Sequence, residues 1–83
     1  MQFKMWYVYI LQSNKDSVLY KGLTNNIDKR LKQHLQGQSK TTKKLLPLKL
    51  VYVEVCKNRV EARKMEKFFK SGFGREVLEE IIS

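Results

Sequence analysis

YVYILQSNKDSVLYKGLTNNIDKRLKQH, the stretch from Tyr7 to His34, decides the fold. It takes in most of one short apolar run, Met5 to Leu11, and all of a second, Val18 to Leu23, both rich in aromatic and β-branched residues, so each reads as a strand. Gln12-Ser13-Asn14-Lys15-Asp16-Ser17 between them is polar and turn-prone, which makes the pair a β-hairpin. After Leu23 the pattern changes. Thr24, Asn25 or Asn26 can accept a hydrogen bond from an orphan N–H and cap a helix, and Asp28 suits the first turn through the helix dipole. Ile27, Leu31 and Leu35 then recur every four residues as an apolar stripe, and Gly37 ends the helix.

Working outward, Gln38 to Pro47 reads as an extended basic loop, and Leu48 to Cys56 returns to strand character. Asn58 is an N-cap for a helix through Lys70, with Glu61, Met65 and Phe68 or Phe69 on one side and Arg63, Glu66, Lys67 and Lys70 on another. Ser71-Gly72-Phe73-Gly74 breaks that helix, and Arg75 to Ile82 closes the chain as a short helix with Leu78, Ile81 and Ile82 turned inward. The order β-β-α-β-α-α implies an α/β (α+β) fold: a small, mostly antiparallel three-stranded sheet flanked by helices. At 83 residues the chain reads as a single domain, 1–83, with a small core.

An apolar content of 42% is globular rather than disordered. Since no run approaches the roughly 18 apolar residues of a membrane span, and the first residues lack a signal-peptide pattern, the expected location is the cytoplasm, with no membrane partner. Cys56 is unpaired in sequence, and with one histidine it cannot build a structural zinc site; it reads as a small apolar filler at a strand end. The formal charge of +9 points to an anionic partner. Nucleic acid fits best, because phosphate backbones reward dense lysine and arginine with counterion release. The lysines crowd at Lys40, Lys43, Lys44 and Lys49, in and beside a loop broken by Pro47, which does not suit a membrane-surface helix.

Arg30 and His34 stand four apart, so they share a helix face and can point at one phosphate. Gly22 leaves room for a substrate backbone or a neighbouring element, or marks a bulge. Tyr9 and Tyr20 can be half-buried strand aromatics, Glu66 can be the partner of Lys70 in an i, i+4 pair, and Lys21 can reach a site or point to water.

Tyr7-Val8-Tyr9, ten intervening residues, and Tyr20-Lys21-Gly22 resemble the paired signature of the GIY-YIG nuclease superfamily. Thr24, Arg30, His34, the Thr41-Thr42-Lys43-Lys44 segment, Pro47 and Glu66 follow in matching order, and the whole is similar to the short stand-alone bacterial members and, more distantly, to the N-terminal nuclease domain of the bacterial repair excinuclease. The resemblance implies that fold and a metal-dependent endonuclease acting on DNA, or on RNA as the alternative polymer. It implies Tyr9 and Tyr20 as paired catalytic tyrosines, Arg30 as the phosphate-stabilising arginine, His34 as an accessory residue and Glu66 as the ligand of Mg2+ or Mn2+. The expected nucleic-acid contacts are Lys21, Lys40, Lys43, Lys44 and Lys49. The chain departs from the family pattern in carrying Tyr7 where the namesake has glycine and Lys21 where an aliphatic is usual, and it has no clear counterpart of an asparagine that some members place near the metal. A nucleic-acid-binding module with little turnover is the alternative; a protein adaptor is a third.

Overall fold

The structure is a computed structural model that describes residues 4–15 and 18–82. Its strands are β1 (Trp6–Ser13), β2 (Leu19–Thr24) and β3 (Leu48–Cys56), and its helices are α1 (Ile27–Leu35), α2 (Arg59–Lys70) and α3 (Gly72–Ile82). The sheet order is β2-β1-β3 with both pairings antiparallel, so the β-β-α-β-α-α architecture is as expected.

β1 is central, and its sequence shows why. Val8, Tyr9, Ile10 and Leu11 form a continuous apolar run, and each is at most 1% exposed because helices cover both faces of this strand. Strand alternation divides them. Val8 and Ile10 join Cys56, Ala62, Phe69 and Leu78 in a core between the sheet and α2 and α3. Tyr9 and Leu11 face the other way and gather Leu48, Tyr20, Ile27, Leu31, Leu45, Leu46 and Val53. On β3 the register slips by one residue, since Ile10 stands opposite Tyr52 but Leu11 opposite Leu50, which leaves Val51 as a bulge.

Local chemistry fixes the helix starts. Asn26 Oδ1 accepts from Lys29 N–H at 3.2 Å and Asn58 Oδ1 from Glu61 N–H at 2.9 Å, so the caps fall where side-chain acceptors exist. Gly37, at φ 75°, carries the chain out of α1 in the left-handed conformation.

Several expectations are corrected. On α1 the buried residue is His34 rather than Leu35, which is 46% exposed. On α2 the inward residues are Ala62, Met65 and Phe69, while Glu61 is exposed and the Glu66 side chain keeps only 14% of its exposure. The basic loop is not simply extended: it holds a 3₁₀ turn at Lys43–Leu45 and buries Ser39 and Thr42. The inter-strand turn is shorter than expected, because Gln12 and Ser13 belong to β1; Asp16 and Ser17 lie outside the described residues. Ile81 is 45% exposed, not inward.

The glycine segment is the largest difference. α3 begins at Gly72, three residues early, because Ser71 closes α2 and opens α3 at once: its N–H bonds the Phe68 carbonyl at 3.0 Å and its Oγ accepts from Gly74 N–H at 3.1 Å. Gly74 is buried where α3 crosses the end of α2, and a methyl group there would overlap the Phe68 carbonyl oxygen. A side chain at Gly72 would meet only open space. Gly74→Ala is therefore expected to lose about 3 kcal/mol of stability by overpacking against backbone that cannot yield, whereas Gly72→Ala should be neutral or stabilising by up to about 1 kcal/mol. Thermal unfolding followed by circular dichroism compares them, and equal melting points would refute the close-approach account.

Candidate active site

Tyr9 and Gly22 stand opposite each other across β1 and β2. The glycine is needed for the tyrosine, since a methyl group on it would run into Tyr9 Cζ and Oη. The room expected at Gly22 is thus used by the protein's own phenol. Tyr20, two residues before Gly22 on the same strand face, sets its ring 6.3 Å from that of Tyr9, and both rings pack on the His34 imidazole at 5.5 Å and 5.1 Å. α1 brings Arg30 and His34 to the same place because they are one turn apart.

Tyr9 Oη lies 2.8 Å from His34 Nε2, and His34 Nδ1 lies 2.7 Å from Thr42 Oγ1. His34 and Thr42 are 0% exposed and Tyr9 is 1% exposed, so this chain of three polar groups is closed to water. Burial raises the Tyr9 phenol above its ordinary 10, and the Arg30 guanidinium pulls the other way without cancelling that rise. Tyr9 is therefore a neutral phenol at pH 7. Burial and then the Arg30 charge hold His34 below its ordinary 6.5, which keeps the imidazole neutral and leaves one ring nitrogen able to accept. Where Tyr9 O–H donates to Nε2, the ring proton sits on Nδ1 and donates to Thr42.

Arg30 is half-buried and its Nη1 donates to Gln33 Oε1 at 2.9 Å, an i, i+3 contact that restrains the guanidinium beside Tyr9. A polar groove of about 300 Å³, lined by Thr24, Asn25, Asn26, Lys29, Arg30 and Gln33, opens alongside it. The fourth tyrosine of the sheet region, Tyr52, does not take part. It hydrogen bonds to Glu54, which pushes its pKa up to about 12.

The other candidate residues lie elsewhere. Glu66 is on α2, which packs on the opposite face of the sheet, and its carboxylate pairs with Lys70 Nζ at 3.6 Å. Lys21 alternates away from Tyr20 and Gly22 onto that same face, where burial, and then the charges of Arg75 and Lys70, hold its ammonium below the usual lysine range. Lys40, Lys43, Lys44 and Lys49 are exposed. No group of three or more His, Cys, Asp or Glu side chains converges among the described residues. Glu66 is a lone carboxylate facing Lys70, so a hard cation held there would have to complete its shell with water and phosphate. Thr42 and Gln33 were not expected. Gln33 had a signal in its spacing from Arg30, while Thr42 looked like part of a solvated Thr-Thr-Lys-Lys loop.

Comparison with known proteins agrees with the fold. Residues 5–78 match the family described as the GIY-YIG catalytic domain. A UPF0213 protein of Bacillus licheniformis is 45% identical over 71 residues, covering 84% of this chain and 72% of the relative. Another, from Staphylococcus saprophyticus, is 40% identical over 78 residues and 93% of both chains. The solution NMR structure of a UPF0213 protein from Bacillus halodurans aligns with a TM-score of 0.58 at 34% identity, covering 93% of this chain and 84% of that one.

The buried imidazole has a consequence for stability. The unfolded chain binds a proton at His34 near pH 6.5 and the folded chain only at lower pH, so the contribution is complete above about 6.5 and is lost as pH falls through the folded pKa. The melting temperature should fall as pH drops below 6.5 more steeply than that of His34→Gln. Parallel curves for the two proteins would assign the acid sensitivity to other groups.

Proposed function

The chain belongs to the GIY-YIG family, a family of nucleases, and from that premise we propose that it is a divalent-metal-dependent endonuclease cleaving phosphodiester bonds in DNA, with a role in repair or in processing of branched DNA. One observation carries the reading. The Tyr9 hydroxyl is held at 2.8 Å from a neutral, buried imidazole, with Tyr20 packed beside it and a permanently charged guanidinium acting on the same oxygen.

The chemistry follows from those groups. A neutral phenol is a poor base at pH 7, and Tyr9 is closed to water in the free protein; once substrate seats an attacking water beside the half-buried Tyr20, Tyr9 can take that water's proton while passing its own to His34 Nε2. His34 ends that step as an imidazolium, with Arg30 nearby favouring its prompt deprotonation. Arg30 holds non-bridging phosphate oxygens, and its charge acts where negative charge grows during attack. Glu66 stands across the edge strand β2 from Arg30, so magnesium or manganese held there would add neutralisation to a phosphodiester lying over that edge. A contrasting reading, a binding module with little turnover, is favoured by the Glu66 ion pair with Lys70, which already occupies the carboxylate.

Incubation of the protein with supercoiled and branched DNA, with magnesium or manganese and with chelator, separates the two. Glu66→Ala should abolish nicking with DNA binding largely kept, and Arg30→Ala should slow cleavage about 100-fold or more with a modest loss of affinity. Rate and affinity falling in step would make Arg30 a plain phosphate anchor.

The lysines make a separate prediction. Replacing Lys40, Lys43, Lys44 and Lys49 by Ser should weaken binding to unrelated sequences alike and flatten the log–log salt dependence by up to about 3.6, at about 0.9 per lost phosphate contact. An unchanged slope in the folded variant would move the DNA path elsewhere.

A further inference from the structure

Thr42 is fully buried in a loop whose neighbouring lysines, Lys40, Lys43 and Lys44, are exposed. The loop folds over it: Lys43 N–H donates to the Ser39 carbonyl at 2.9 Å and Leu45 N–H to the Thr42 carbonyl at 2.9 Å. Packing alone does not call for a hydroxyl here, since valine has nearly the same shape. What the hydroxyl does is meet His34 Nδ1 at 2.7 Å, the ring atom that Tyr9 leaves free. An imidazole with a partner on each nitrogen has its ring plane fixed and its tautomer set by those partners. The charged and titratable groups facing this ring are Tyr9 from β1, Tyr20 from β2 and Arg30 from its own helix, and none of them engages Nδ1.

We propose that Thr42 is a positioning residue for cleavage: its buried hydroxyl holds His34 against Tyr9 and thereby ties the lysine-bearing loop to the reacting phenol. The inference rests on the nuclease reading above and adds a link between substrate docking and chemistry. Nucleic acid seated on Lys40, Lys43 and Lys44 bears on the segment that carries Thr42, so the same loop that collects phosphate also sets the geometry of the proton acceptor.

The test compares Thr42→Val, which keeps the shape and removes the hydroxyl, with Thr42→Ser, which keeps the hydroxyl. Each is measured for single-turnover DNA cleavage with magnesium, for DNA affinity in chelator, and for the 15N signals of His34, the chain's single histidine. Thr42→Val should cleave about 10–100-fold more slowly, as when the outer partner of a functional histidine is removed. Its DNA affinity should be unchanged and its His34 tautomer ratio altered, with Thr42→Ser restoring rate and spectrum. A wild-type rate and spectrum in Thr42→Val would overturn the proposal, and so would a Thr42→Ser variant as slow as Thr42→Val, because the methyl would then be the part that matters. If the wild type cut no DNA with either metal, the nuclease reading would fail by itself. The ring signals would still decide whether Thr42 orients His34. Should Thr42→Val not fold, the wild-type spectrum decides: one dominant tautomer supports the positioning role, and an averaged ring refutes it.

Discussion

The hydrogen bond between Tyr9 and His34 is the constraint around which this small protein is arranged. A phenol and an imidazole removed from water each require a partner, and leaving either unsatisfied would cost about 1–3 kcal/mol. The two come from β1 and from the last turn of α1, so their bond fixes how the first helix lies on the sheet. Three other features serve it. Gly22 yields the space for the phenol, Tyr20 walls the imidazole, and Thr42 closes the far nitrogen. No buried side-chain polar atom is left without a hydrogen-bond partner among the described residues.

The strands and two of the helix caps could be read from sequence because their signals are local. The continuous apolar run at Val8 to Leu11 announces a strand covered on both faces, and Asn26 and Asn58 announce helix starts by their short acceptor side chains. The early start of α3 was hidden, since Gly72-Phe73-Gly74 looks like a helix breaker and its glycine is explained only by the Phe68 carbonyl pressing from α2. His34 and Leu35 exchanged places for a related reason: hydropathy favours leucine inside, but tertiary hydrogen bonds can make a histidine the better core residue. At the site, the grouping of Arg30 with His34 followed from helical spacing. Thr42 could not be found that way, because a threonine between lysines carries no periodicity and its partner lies eight residues back on another element.

Charge is distributed unevenly over the two sides of the sheet. Tyr9, Tyr20, Arg30 and His34 lie on one side of the sheet, whereas Lys21 points through to the other, the side of Lys70, Arg75 and the largely buried Glu66. β2 is an edge strand, so a single backbone separates the two groups. Lys21 stands where the family pattern has an aliphatic residue. It thus adds a cation directly behind the tyrosine strand, within the field of Lys70 and Arg75.

The sheet has a second edge, and the bulge at Val51 lies on it. β3 leaves Leu50 and Val55 exposed at 40% and 53%, which on a flat strand would invite another chain to pair along the open amides. The extra residue breaks the even spacing of those donors and acceptors and turns the strand locally, while the exposed Lys49 adds charge to the same border. The irregularity that fits β3 to its neighbour therefore also makes its outer side a poor template, so the same slip in register guards a sticky border against growth into a longer sheet.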